Sequence, residues 1–334
     1  MPRGIRGLRV RRIFGSTLPS DGRRTSASRR SSALAAATLM CLALSACGGG
    51  SGRAGTLLQQ TFTGSHTVDS GNLSFNLTVT PSGSSVLTRP LVLSFGGPFQ
   101  SLGKGKLPQS DFTIGVNALG RMLAVGIVST GTRGYITLKG ASYQLPAASF
   151  KKLESSFSAL GASPGGGSAS GSLGSLGIHP GSWLVNPSIM GSETVGGADS
   201  THIRAGVNVA ALLVDVQTLL RKAASAGVSG AGRIPTSIAP ATRARIASEV
   251  KNPTVDVWTG SRDKTLRKLA VKLTLAVSGR ISGLLGGLRS AAVAMTIEYD
   301  GLNQPQTITA PTALQPFSQL AARLRDLEQL LSGR

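Results

Sequence analysis

The chain has 334 residues, with 35 Lys and Arg against 14 Asp and Glu, a formal charge of +21, two Cys and 4% aromatics. Of the two cysteines Cys41 lies in a leader segment, which excludes an intrachain disulfide in the exported chain and leaves stability to packing. The low aromatic content argues against a nucleic-acid surface with interleaved stacking platforms, and an exported basic chain is drawn instead to anionic headgroups or phosphorylated wall polymers.

Residues 1–30 carry nine Arg and one acid, Asp21. Ala33–Leu44 follows, apolar but for Thr38. That run is too short to span a bilayer and suits the core of an export signal. It ends in Leu44-Ser45-Ala46-Cys47, which resembles a bacterial lipobox: an apolar residue, two small ones, then the Cys that receives diacylglycerol. The expectation is that residues 1–46 are a cleaved signal peptide and that Cys47 is lipidated. The chain would then be held on the outer face of the cytoplasmic membrane. Cleavage leaves 288 residues and a charge of +13, because the leader holds eight of the net positive charges. Ser28-Arg29-Arg30 is a weak hint of twin-arginine export. Residues 47–56, rich in Gly and Ser, read as a flexible tether.

Beyond the tether, period-two alternation recurs, the signal of half-buried strands. Asn72–Thr80 sets Leu73, Phe75, Leu77 and Val79 against Asn72, Ser74, Asn76 and Thr78. Asp111–Asn117 has Phe112, Ile114 and Val116. Arg121–Ser129 has Leu123, Val125 and Ile127, with an opposite face that is less polar than elsewhere. Thr201–Val209, Leu266–Ser278 and Ala291–Tyr299 continue the pattern, the last two with Val271, Leu273, Leu275, Val293 and Met295 on their apolar sides. Shorter strands are predicted at Leu91–Phe95, Gly134–Lys139, Ser142–Leu145 and Thr254–Thr259. Helical spacing predicts Pro146–Leu160, Ala210–Ala226, Pro240–Lys251 and Pro316–Leu331. Ala162–Gly177 is a low-complexity Gly/Ser stretch and reads as a mobile loop inside one domain, since strands of one style flank it. Antiparallel strands with segregated helices predict an α+β fold.

The order of the soft motifs resembles a known family. Trp183-Leu184-Val185-Asn186-Pro187 is followed by Glu193-Thr194-Val195-Gly196-Gly197 and Thr201-His202-Ile203-Arg204. Val255-Asp256-Val257-Trp258-Thr259-Gly260 and Tyr299-Asp300-Gly301-Leu302-Asn303-Gln304-Pro305 come later. This order is similar to the LppX/LprG-type lipoproteins and, more distantly, to the LolA and LolB carriers and the RseB sensor. The resemblance covers roughly 57–331. It implies one curved antiparallel half-barrel, closed on its concave side by helices around an apolar cavity for acyl chains.

The residues support that reading physically. Their apolar sets are mostly aliphatic, leaving a concave sheet room for a lipid. A sixteen-carbon chain gains on the order of 10 kcal/mol by leaving water, at about 0.8 kcal/mol per CH₂. The cavity is expected to be lined by Leu77, Val79, Ile114, Val125, Val271, Leu273, Leu275, Val293 and Met295. The function expected is that of a non-enzymatic lipid or glycolipid carrier, monomeric, without metal or cofactor. The alternative is an extracytoplasmic sensor or assembly module that binds a membrane protein partner.

Enzyme signatures are weak. His66, His179 and His202 show no metal-ligand spacing. Gly181-Ser182-Trp183 lacks the closing Gly of a nucleophile elbow. Gly103-Lys104-Gly105-Lys106 resembles a phosphate loop only in composition. Asp256 reads as an outward strand residue and Asp263 as a turn residue beside Arg262 and Lys264. His202 reads as a surface strand residue, and Trp183 and Trp258 as core anchors.

Overall fold

A computed structural model describes residues 49–103, 106–118, 120–159, 179–225, 239–320 and 322–323. The signal segment, Cys47, Ala162–Gly177, Lys104, Gly105 and the end of the predicted C-terminal helix lie outside the described residues.

Twelve strands among the described residues form one sheet. The N-terminal strands are β1 (Ser70–Ser82), β2 (Leu91–Gln100), β3 (Gln109–Ala118), β4 (Arg121–Thr130), β5 (Gly134–Leu138) and β6 (Ala141–Gln144). The C-terminal strands are β7 (Leu184–Val195), β8 (Ala198–Val207), β9 (Val250–Gly260), β10 (Leu266–Ala276), β11 (Ser290–Asp300) and the short β12 (Leu314–Gln315). Their order is β12-β6-β5-β4-β3-β2-β1-β11-β10-β9-β8-β7. Every pairing is antiparallel except that of β12 with β6. The sheet is open and curved, as the α+β half-barrel expectation required.

Two meanders are therefore spliced mainly by one long ladder, β1 on β11, running from Asn72↔Asp300 to Ser82↔Ser290. Side chains alternate between faces along a strand, so the registers place apolar sets in continuous rows on one face. The longest row reads Leu138, Val125, Ile114, Phe95, Phe75, Ile297, Leu269, Val257, Ile203 and Ile189, one residue from each of ten strands.

Curvature has local causes. β2 carries Gly96-Gly97-Pro98, where a Cβ at Gly96 would meet the Leu73 carbonyl and one at Gly97 the Asp111 carbonyl. Neighbouring backbone thus presses in from both sides, which glycine alone permits. Asn252 and Asn186 both adopt positive φ, at 49° and 50°, each just before a proline and beside a break in strand register. Such bulges bend the strand and deepen its twist.

Helices cover the apolar face. α1 (Gly49–Thr63) sends Ala54, Leu58 and Phe62 into a cluster with Trp183, Ile203, Val255, Val257, Leu266 and Leu269. Residues 49–56 are thus the opening of a helix, not the tether the Gly/Ser content suggested: the i, i+4 apolar stripe from Ala54 onward gains burial that outweighs the glycine penalty. Thr61 donates to Thr259 at 2.7 Å in the same interior. α2 (Ala147–Ala159) sets Phe150 close to Gly134. α3 (Pro180–Trp183) and α4 (Val209–Ser225) meet through Asp215, which accepts the Trp183 indole N–H at 3.0 Å and the His179 backbone N–H. α5 (Pro240–Glu249) follows, and α6 (Gly279–Leu284) links β10 to β11. At the far end Leu320 packs on Leu138 and Tyr143. Among the described residues no helix is long and apolar enough to cross a membrane.

Leu58 is 5% exposed in this interior. Leu58→Ala should lower the unfolding free energy by about 3 kcal/mol, the usual cost of such a cavity. Denaturant titration followed by tryptophan fluorescence checks this, since Trp183 reports the same cluster.

Candidate functional site

The helix-covered face is not uniformly filled. α1 seals the β8–β10 end, and Leu320 with Tyr143 the β5–β6 end. Between them the aliphatic wall on β1, β2, β10 and β11 is only half-buried by the described residues.

The nine residues expected to line a cavity all lie on this face, and all nine are half-buried. Seven form one block. Leu77, Met295 and Val271 are consecutive partners in one row, and Val79, Val293 and Leu273 in the next. Leu275 pairs with Ala291 one row further. Ile114 and Val125 pair with each other on β3 and β4, and reach the block only through Phe95 and Leu93 of β2. Aromatic members of the face were missed: Phe75, Phe95 and Phe112, the last two with ring centroids 4.8 Å apart. Phe75 and Phe112 stood in the alternating pattern, and only register joins them to Phe95. Tyr299 closes one end of the wall, where burial pushes its phenol up from the ordinary value. The chemistry this wall offers is mainly dry contact, from aliphatic and aromatic surface.

A groove of ≈ 1070 Å³ lies elsewhere. Its floor is Met122, Ala124, Gly126 and Val128 of β4, which belong to the opposite face of the sheet. None of the nine expected residues lines it.

The polar residues of the motif order gather on that opposite face too, at the other end of the sheet. His202, Trp258 and Lys268 are cross-strand partners on β8, β9 and β10. His202 stacks on Trp258 with centroids 4.4 Å apart, and the Lys268 ammonium lies 5.3 Å from the indole centroid. Trp258 donates to Glu193. It is therefore a surface aromatic and not the core anchor expected, whereas Trp183 is 4% exposed in the core. Asp256 faces outward as expected, yet only 5% of it is exposed, because its neighbours cover it. Its Oδ1 accepts from Arg204 Nε at 2.8 Å and lies 2.7 Å from His202 Nε2. A carboxylate can only accept, so Nε2 carries the proton.

The other acid–base candidates do not converge with this cluster. Asp263 pairs with Arg267 in the β9–β10 turn, His179 lies 3.7 Å from Asp215, and His66 contacts the Gln60 carbonyl at 2.8 Å. Among the described residues no three His, Cys, Asp or Glu come together as a metal site.

The fold and this wall define a class: a curved antiparallel half-barrel whose helices leave an apolar concavity part-covered. No family model matches the chain, and no curated protein matches it. It is similar to the crystal structure of LprF from Mycobacterium bovis, at 12% identity and TM-score 0.37, over 79% of this chain and 99% of that one. It is similar also to the Mycobacterium tuberculosis lipoprotein LppX, at 11% and 0.34, over 77% and 99%. The Pseudomonas aeruginosa MucA/MucB complex matches at 11% and 0.27, over 79% of this chain and 62% of that one. Likeness at this level carries neither ligand nor partner across.

Burial pushes the Asp256 carboxyl up, but the hydrogen bonds and charges of Arg204 and His202 outweigh it and hold the group below its ordinary 3.8. A carboxyl lowered in the folded state adds stability above its unfolded value, and that stability is lost as pH falls through the folded one. Asp256→Asn should therefore lower stability by about 2 kcal/mol near neutrality. The gap to wild type should close on acidification below pH 3.8. Thermal melts of both proteins across that range check the sign.

Proposed function

We propose that the chain is a non-enzymatic lipid or glycolipid carrier of the cell envelope, tethered through a lipidated Cys47. The observation that supports this most directly is the block of Leu77, Val79, Val271, Leu273, Val293 and Met295. Six aliphatic or thioether side chains stand together on a concave sheet face, half-buried by the described residues. Apolar surface of this extent is filled by a ligand or a partner in soluble proteins. An acyl chain fits it by chemistry: the wall is apolar, and its neighbours on β2 and β3, Leu93, Phe95, Phe112 and Ile114, extend it lengthwise. The basic residues of the chain suit anionic headgroups at the mouth. Placement on the outer face of the membrane follows from the export signal and the lipobox, and belongs to the same proposal.

The test is native mass spectrometry with solvent extraction, on protein exported by a lipid-rich host. The expected result is stoichiometric lipid, and a drop of about tenfold in its retention for Leu273→Trp or Leu275→Trp, whose bulk takes the space of the tail. A stably folded protein that never carries lipid, even when lipid is supplied, removes the carrier reading and leaves a module that binds a membrane protein partner. Separately, Cys47→Ser should release the chain from membranes in detergent phase partition.

A further inference from the structure

β4 breaks the polarity of the sheet's other face. On β1 that face presents Asn72, Ser74, Asn76 and Thr78, and on β10 Lys268, Lys272 and Thr274 around a buried Ala270. On β4 it presents Met122, Ala124, Gly126 and Val128. An antiparallel face left to water is ordinarily polar, so an apolar stretch there faces something.

The segment between β11 and β12 walls this stretch. It is tied down at both ends. Asn303 N–H donates to the Ser70 carbonyl at 2.9 Å, Ser70 Oγ to the Gln304 carbonyl at 2.7 Å and Gln306 N–H to Gln100 Oε1 at 3.1 Å. Leu314 and Gln315 then pair with Ser142 and Tyr143 of β6. Between those anchors Thr309, Ala310 and Pro311 form one side of the ≈ 1070 Å³ groove. Small residues keep the floor low: a Cβ on Gly126 would come within 3.1 Å of Thr137 Cβ. Val128 is 5% exposed at one end, and Met122 is 79% exposed at the other.

Charge is polarised along the groove. Arg121, paired with Ala118, and Lys139, next to the Val125↔Leu138 pair, flank the Met122 end. Asp111, paired with Val128, sits at the buried end. A mostly apolar groove with cations at one end and an anion at the other suits one amphiphile in one orientation.

We propose that this groove binds a long-chain fatty acid. Its tail lies along β4 beneath Thr309–Pro311 toward Val128, and its carboxylate meets Arg121 and Lys139. Asp111 repels the headgroup from the other end. The floor of the site is on the opposite face from the carrier wall, with Val116 and Leu123 at its rim, and the proposal does not rest on that reading.

The methionines make the two sites separable: Met122 is in the groove and Met295 is in the concave wall. The experiment is a methionine-methyl NMR titration of the full chain, stripped of lipid, with hexadecanoate below its micellar range. The Met122 resonance should shift saturably. Lys139→Glu, at an exposed position, should weaken that titration about tenfold, the usual worth of one charge-assisted contact. Ala124→Trp should abolish it, and Leu273→Trp should leave it unchanged. Hexadecanol, which lacks the charge, should bind about tenfold more weakly. A Met122 signal that stays still while Met295 moves overturns the proposal. So does a Met122 titration indifferent to Lys139→Glu, or equal for the acid and the alcohol.

Discussion

The ladder between β1 and β11 is the constraint on which the rest depends. It joins two meanders through strands more than two hundred residues apart, and its register decides which face every downstream row occupies. With Leu77 opposite Met295 and Val79 opposite Val293, the apolar sets of both halves fall on one face. A slip by one residue would set Asn76 and Thr78 among the aliphatics of β10 and β11. No local propensity in either half would correct it, because each meander satisfies its own neighbours. The pairing therefore specifies the concave wall as a single surface.

The proposed function turns on how that wall is covered. α1 and Trp183 pack one end, and the Leu320 contact packs the other. Filling fixes the curvature, since the ends cannot flatten without opening a core. On the proposed function, the middle, with its aliphatic side chains and a few phenylalanines, takes an apolar guest while the packed ends stay in place. The outward side of the same strands does different work. There Asp256 draws Arg204 and His202 together, and Trp258 is stacked between its β8 and β10 neighbours, pinning three strands where the sheet is bulged.

Much of this was legible in the sequence wherever one strand face was apolar and the other polar. β1, β3, β4, β10 and β11 appear within two residues of where alternation placed them, and the nine apolar residues chosen from them share one face. β7 escaped because it is an edge strand: its pattern is mostly exposed and it holds Pro187 and Gly191, so burial imposes no period on Leu184–Val195. α1 escaped because its first residues are glycine-rich, and tertiary contacts of Ala54, Leu58 and Phe62 carry the helix through them. The role of Asp215 was invisible, since it depends on a loop residue and an indole more than thirty positions upstream. The two-sided apolarity of β4 was visible in Arg121–Ser129, but its meaning needed the segment that ends in β12, whose two strand residues carry no pattern of their own.

The central claim is that the concave wall of β1, β10 and β11 holds acyl chains. The most direct measurement is photo-crosslinking with a diazirine-bearing phospholipid, followed by peptide mapping. The account predicts saturable adducts on Leu77, Val79, Val271, Leu273 and Met295, competed away by unlabelled lipid. Adducts absent from those strands, or present there but not competed, would contradict it.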